Sequence, residues 1–465
     1  MNLPPEVEEL IDSLRREIEA LRAENAELRR RLGLDSSNSS KPPSSDGLKK
    51  KPRVLKSLRT RTGKPSGGQR GHDGDTLRQV AEPDAIVEHA AEVCEHCRAP
   101  LPADSKVAEE KRQVFDLPER LLLVTEHRAA IHDCPACRLR TRAVFPEGVV
   151  SPAQYGDRVK AAAVYLNAQQ LVPEERTAQI LNDLFDAAAA CGASVATWVR
   201  RRAEALEPVW RAIGACVAAA PVRCLDETGF RIAGKTQWLH TASTLTHTFY
   251  RAGEPRSAVP EFEGGVVVHD HWRAYYALEN VLHAFCNAHL LRELQAVVDL
   301  DNEPWAEAPR ATLLDANEAV QTAKAEGASA LPPETVKGFE DRYWAAVREG
   351  LALHRSLPDF DPDKSPKKRK KQRPAHNLLL RFKTFKDATL RFLTDFAVPF
   401  TNNLAEQDLR MMKVKIKISG GFRTLQGAAD FASLRSVISS ARKQGLDILR
   451  ALTLGPERLT VELNL

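Results

Sequence analysis

The chain has no long apolar run, and nowhere does it approach the ~18–20 uninterrupted apolar residues that a membrane-spanning helix requires. Its start, Met1-Asn2-Leu3-Pro4-Pro5-Glu6, lacks the basic end and apolar stretch of a secretory leader. It is poor in cysteine, with eight in 465 residues, which is too sparse for a disulfide-stapled scaffold. Neither charge sign dominates, the net value being +5 at pH 7. These absences predict a cytoplasmic protein with no membrane partner. What is present is ordinary for a folded protein: 43% hydrophobic and 28% charged residues exclude a wholly disordered or fibrous chain. The length leaves room for about three domains at ~100–200 residues each.

The charge is unevenly placed. Between Ser36 and Arg78 eleven Lys and Arg face three Asp, a local excess of +8, so the rest of the chain sums to −3. This stretch is rich in Ser and Pro and buries too little apolar surface to offset its ordering entropy, which predicts a flexible linker over 35–80. Two more basic clusters follow, Lys367-Lys368-Arg369-Lys370-Lys371 and the alternating Lys413, Lys415 and Lys417 that lead to Arg423. Three basic regions point to a polyanion partner, because each phosphate neutralised releases counterions. Any one run alone is equally consistent with a solvated tail.

Residues 7–32 carry a heptad repeat, with Ile11, Ile18, Asn25 and Leu32 in one register and Val7, Leu14, Leu21 and Leu28 in the next. β-branched residues at two a positions, mostly Leu at d and a lone Asn at a predict a parallel two-stranded coiled coil over 1–34, hence a homodimer. Glu17 can reach Arg22, and Glu24 can reach Arg29, of the partner helix. Beyond the linker, Cys94-x-x-Cys97 and Cys134-x-x-Cys137 are separated by 36 residues. Two such pairs can supply four thiolates in tetrahedral geometry, so 81–150 is expected to hold one structural Zn²⁺, with His96 and His132 as bystanders or substitutes. Cys191, Cys216, Cys224 and Cys286 are scattered, with no role legible in the sequence.

Residues 151–215 read as helices broken at Cys191-Gly192. Val195 to Arg202 fits either the second helix of a helix-turn-helix or an ordinary helical hairpin. From Pro221 the pattern turns to strands at Val222–Ile232, Trp238–Ser243, His247–Arg251, Gly265–His269 and His283–Cys286. A meander followed by strand-helix units predicts an α/β sheet of mixed direction. A helical, charged insertion occupies 300–395, and an α-rich segment begins near Thr401.

Three acids stand out, two of them, Asp226 and Asp270, in places costly for a carboxylate. Asp226 is inside the first of these strands, Asp270 ends the apolar run Val266-Val267-Val268-His269, and Glu406 stands near a helix start. Each has a local explanation: Asp270 as the cap of a helix at Trp272, and Asn403 with Glu406 as a capping box.

The strings Leu225-Asp226-Glu227-Thr228, His269-Asp270-His271-Trp272-Arg273-Ala274-Tyr275, Cys286-Asn287-Ala288-His289-Leu290-Leu291-Arg292-Glu293-Leu294, and Thr401-Asn402-Asn403-Leu404-Ala405-Glu406-Gln407-Asp408-Leu409-Arg410 through Ser419-Gly420-Gly421-Phe422-Arg423-Thr424 resemble those of the insertion sequence 66 family of transposases. The order of parts is similar too: zipper, Ser/Pro linker, two-pair zinc segment, catalytic domain and C-terminal element. Arg98 and Arg138 depart from that family, where a Gly commonly follows each cysteine pair. The resemblance implies a ribonuclease H-like fold over 216–415, interrupted by the insertion, with 416–465 as a C-terminal element. It also implies a DDE triad of Asp226, Asp270 and Glu406 holding two Mg²⁺, Asp226 bridging both ions, with Glu227 the weaker alternative on the opposite strand face. The expected activity is metal-dependent cleavage of terminal inverted repeats and strand transfer into target DNA. Arg292, Arg410, Lys413 and Arg423 are the candidate phosphate contacts, while His289 either orients a phosphate or fills space. Such a protein associates with the nucleoid and can require accessory transposition proteins. The competing readings are a non-catalytic zinc-containing DNA-binding regulator and an inactive transposase.

Overall fold

A computed structural model of the chain describes residues 5–35, 38–39, 77–118, 121–185, 190–253, 255–257, 259–260, 262, 264–357 and 372–465. Most of the expected basic linker, and the run Lys367 to Lys371, lie outside the described residues.

Helix α1 (Pro5–Gly33) is continuous. Val7, Leu14, Ile18, Leu21, Leu28 and Leu32 along its heptad seam are exposed, so packing within the chain does not consume the apolar stripe. Near its C-terminus Arg30 Nε donates to Asp301 Oδ1 at 2.9 Å. Among the described residues of 77–156 the strand pairings are short: β1 (Ile131–Asp133) runs antiparallel to β2 (Arg140–Arg142), and Val93 bridges Pro100. Val107, Val114, Leu123 and Val124 stay exposed there, so apolar burial contributes little to holding this region together.

Four helices then lead into the sheet: α2 (Asp157–Val164), α3 (Glu174–Phe185), α4 (Gly192–Ala205) and α5 (Glu207–Ala219). The arginine run of α4 does not form one basic face. Arg200 pairs with Glu204 at 2.9 Å, while Arg202 turns inward and donates to the carbonyl oxygen of Leu454 at 2.5 Å. Arg201 remains exposed.

The sheet comprises β3 (Val222–Ile232), β4 (Lys235–Ser243), β5 (Thr248–Ala252), β6 (Val266–His269) and β7 (Leu282–Phe285), in the order β5-β4-β3-β6-β7. The first three strands form an antiparallel meander, and β6 and β7 join parallel, giving the sheet of mixed direction expected from the sequence. Ala233 and Gly234 close the β3–β4 hairpin with φ of 48° and 79°, the left-handed pair that a two-residue hairpin of native twist needs. Gly265, at φ 72°, has no room for a side chain, since a Cβ would lie 2.9 Å from the carbonyl oxygen of Pro221.

After β7 come α6 (Asn287–Ala296), then the insertion helices α7 (Glu307–Ala325), α8 (Pro333–Ser356), α9 (Pro374–Thr384) and α10 (Lys386–Thr394). The chain closes with α11 (Asn403–Ser419), α12 (Leu425–Lys443), α13 (Ile448–Ala451) and α14 (Pro456–Glu462). Strand alternation divides the core. Cys224, Val266 and Val268 pack with Leu290, Leu294, Leu313 and Phe382 on one face, and Leu225, Ala242 and Val267 pack with Ile213, Val217, Leu434 and Val437 on the other. The helices before the sheet and those after residue 416 therefore share one core with it, and residue 415 lies within α11. Helix α12 is buried almost all round and closes the edge strand: Ser436 Oγ accepts from Tyr250 N–H at 2.9 Å, and Ser440 Oγ from Thr248 N–H at 3.1 Å. Serines inside a buried helix thus satisfy the outer ladder of β5.

Candidate active site

Asp226, Asp270 and Glu406 lie at one end of the sheet, near enough for their charges to act on one another. β3 and β6 are parallel neighbours with Cys224 opposite Val268. Continuing that register by two residues sets Asp226 beside Asp270, both on the side of Cys224 and Val268. The start of α11 is pinned to the same place by Asn402, whose Nδ2 donates to Leu225 O at 2.6 Å and whose N–H points at Cys286 Sγ, 3.2 Å away. Glu406 lies one turn into that helix. The capping box expected of Asn403 and Glu406 does not form: Asn402 is the N-cap and makes no side-chain cap bond, its amide being turned so that Nδ2 donates to β3. Asp270 does accept from Trp272 N–H at 2.9 Å, so its local capping role and its place in the cluster coexist.

The acids act on one another. Burial pushes Asp226 up to about 8, and the charges of Glu227, Asp270 and Glu406 add to the rise. Burial likewise lifts Asp270 to about 6, with Glu227 and Glu406 adding and the Trp272 N–H opposing. An all-oxygen donor set that resists ionisation for want of a counter-charge suits a hard divalent cation, so the residues present fit Mg²⁺.

Glu227 is spoken for. Its Oε1 accepts from Arg256 Nε at 2.9 Å and Nη2 at 2.7 Å, its Oε2 accepts from the Tyr275 hydroxyl, and its side chain is 2% exposed. The Arg256 guanidinium lies 4.8 Å from the Trp238 ring centroid and 4.3 Å from that of Trp272. With both guanidinium N–H groups converging on Oε1 and the ring stacking on the other side, this pair braces the strand beneath Asp226 and turns Glu227 away from the acidic cluster.

On α11, Glu406, Arg410, Lys413 and Lys417 recur at helical spacing, and the three basic residues are exposed. The alternating lysines do not form a single basic strip. Lys415 is 4% exposed, with its ammonium 5.0 Å from the Phe422 centroid and 5.1 Å from that of Phe431, because residues two apart on a helix point to opposite sides. Arg423 is exposed before α12. Arg292 is half-buried on α6, and its charge helps burial to depress His289 to about 4. His289 is half-buried beside Glu406, its Nδ1 3.8 Å from Oε1.

Two features escaped the sequence reading. Asp408 accepts at Oδ2 from Ser243 Oγ at 2.6 Å, Thr248 Oγ1 at 2.9 Å and Lys443 Nζ at 2.8 Å. It ties α11 to β4, β5 and α12, and an acid two residues after Glu406 carries no local signal of that role. The second is Cys286, whose thiol contacts Glu406; its only signal was the Cys-x-x-His spacing to His289.

The two cysteine pairs form matching knuckles. Cys94 N–H donates to Ala99 O and Arg98 N–H to Cys94 O, both at 2.9 Å. Cys134, Leu139 and Arg138 repeat the pattern at 2.9 and 2.7 Å. Arg98 and Arg138 adopt φ of 61° and 57°, the left-handed turn that would favour Gly. Backbone N–H groups of Cys97 and His96 draw the Cys94 thiol below its ordinary range, and those of Cys137 and Ala136 do the same for Cys134. Such thiols fit Zn²⁺. Among the described residues, though, the group of His, Cys, Asp or Glu whose ligand atoms all lie within 4.8 Å of one another is Cys286, His289 and Glu406.

Among the described residues no helix is long and apolar enough to cross a membrane. A family model described as the transposase IS66 family matches residues 152–430. Residues 2–78 match a family of unknown function, DUF6444. No curated protein and no solved structure matches the chain.

Proposed function

The chain belongs to the transposase IS66 family, and we propose that it is a DDE transposase of ribonuclease H-like fold that cuts and joins DNA at Asp226, Asp270 and Glu406. The observation that carries this reading is the convergence of three carboxylates from β3, the end of β6 and the first turn of α11, with burial and mutual repulsion raising two of them. Asp226, Asp270 and Glu406 would hold Mg²⁺, which when bound supplies activation of the attacking oxygen and neutralisation of the leaving one in an in-line displacement.

Water attacks a phosphodiester at the element's end and frees a 3′-hydroxyl, which then attacks a phosphodiester of the target. No protein nucleophile is required. Arg410 and Lys413 extend the face of α11 from Glu406 and would seat the phosphates, with Arg292 and Arg423 at the margins. The Glu227–Arg256 pair and the Asp408 hub keep β3 and α11 in register. The exposed heptad seam of α1 would pair two copies so that both element ends are held together, and the two knuckles would close around one Zn²⁺ to stabilise a region with little core of its own.

The deciding experiment is Asp226→Asn in a strand-cleavage assay with matched element ends. Mg²⁺-dependent cleavage and joining should disappear while end binding stays within about twofold. Cleavage that persists in this variant refutes the catalytic assignment. Binding without cleavage by the unaltered protein would make it a regulator instead.

A further inference from the structure

Beside the acidic cluster lies a second donor set of different chemistry. Cys286 Sγ and His289 Nδ1 each stand 3.8 Å from Glu406 Oε1, and the ligand atoms of the three residues all lie within 4.8 Å of one another. Tetrahedral Zn²⁺ with a thiolate at ~2.3 Å and an oxygen at ~2.0 Å separates those two ligands by about 3.5 Å, so a few tenths of an ångström of closure would bring thiolate and carboxylate to that spacing. Two further observations single out this spot. His289 Nδ1 is buried with no hydrogen-bond partner, and the Asn402 N–H is directed at Cys286 Sγ from 3.2 Å, the outer-shell bond that a coordinating thiolate commonly receives. Glu406 is 32% exposed on its side chain, which leaves an approach from solvent.

We propose that Cys286, His289 and Glu406 form a site for a thiophilic divalent cation such as Zn²⁺, distinct in chemistry from the all-oxygen site and sharing Glu406 with it. The thiol surrenders its proton to solvent as the ion binds. Solvent completes the coordination shell. An ion held there draws the Glu406 carboxylate away from Asp226 and Asp270, so occupancy by a soft cation and assembly of the oxygen site exclude each other. That consequence rests on the catalytic reading above, whereas the site itself does not.

The probe is Zn²⁺ or Cd²⁺ with the reduced full-length chain. Bound metal per chain should be one equivalent higher in the unaltered protein than in Cys286→Ser or His289→Ala, with Cys216→Ser unchanged. Glu406→Gln should weaken that last equivalent at least tenfold. Equal stoichiometry in the unaltered protein and Cys286→Ser overturns the proposal. Should Cys286→Ser fail to fold, the same question is put to a chain with Cys94, Cys97, Cys134 and Cys137 all changed to Ser. There Cd²⁺ should still produce a thiolate charge-transfer band, and its absence is equally fatal. In the cleavage assay at fixed Mg²⁺, added Zn²⁺ should inhibit the unaltered protein at least tenfold more potently than Cys286→Ser, each compared with its own rate in Mg²⁺ alone. A chain that never cleaves DNA yet shows the extra equivalent refutes the catalytic reading and leaves the soft-metal site standing.

Discussion

Lys443 Nζ lies 2.8 Å from Asp408 Oδ2, with 14% and 16% of the two side chains exposed, and this pair locks the helix bearing Glu406 to the buried α12. Removing the acid alone would strand an ammonium whose protonation burial already opposes. Asp408→Ala should cost ~3–5 kcal/mol in urea unfolding, and adding Lys443→Met should recover most of it. A single-variant cost below ~1 kcal/mol would show that the hub does not anchor α11.

The raised pKa of Asp226 fixes a sign for pH dependence. In the unfolded chain this carboxyl ionises near 3.8 and in the folded protein near 8, so the folded state favours its protonated form. Stability from this group is complete below the lower value and is lost as pH rises through the upper one. Without metal, Tm should fall between about pH 5 and pH 8, and Asp226→Asn should flatten that fall by an amount on the order of a few kcal/mol. The rise in Tm on adding Mg²⁺ should grow over the same window; a Mg²⁺ effect larger at pH 6 than at pH 8.5 would contradict the site.

Arg98 and Arg138 occupy left-handed conformations that an L side chain resists by ~1–2 kcal/mol. If the knuckles hold Zn²⁺, Arg98→Gly and Arg138→Gly should each raise the chelator concentration needed for half-removal by about fivefold, the equivalent of ~1 kcal/mol. Faster zinc loss in both would count against the shared site.

The exposed face of α11 predicts a graded electrostatic effect. Arg410→Ala and Lys413→Ala should weaken DNA binding similarly across sequences, each reducing the slope of log affinity against log salt by about 1. Lys415→Met should leave that slope unchanged, since Lys415 is packed between Phe422 and Phe431.

The α1 seam predicts self-association. Leu21→Lys removes an apolar contact from each strand of a pair, worth ~1.5–3 kcal/mol apiece, and should weaken the dimer at least ~100-fold in sedimentation. An unaltered sedimentation profile in Leu21→Lys would rule the zipper out.

Much of this molecule follows from local pattern. β3 runs from Val222 to Ile232 and β6 is the fully buried Val266–His269 stretch, both expected from the sequence, and the mixed sheet combines the tight β3–β4 hairpin with parallel additions of β6 and β7. Periodicity also marked α1, costly placement marked Asp226 and Asp270, and only the family resemblance marked Glu406. Other features depended on long-range packing, which spacing does not encode. Asn402 turned from capping its own helix to β3 because Leu225 offered a buried carbonyl oxygen. Lys415 left the basic face because helical geometry sent it among aromatic rings, and the C-terminal helices merged into the sheet's core because β5 needed its edge satisfied. Cys286 acquired a chemical neighbourhood only once α6 and α11, distant along the chain, were packed side by side. Local sequence determines which segments become strands and helices, since backbone sterics and burial periodicity act within a few residues. Which side chains share a cavity is decided by the register of packed elements, and that is a property of the whole fold.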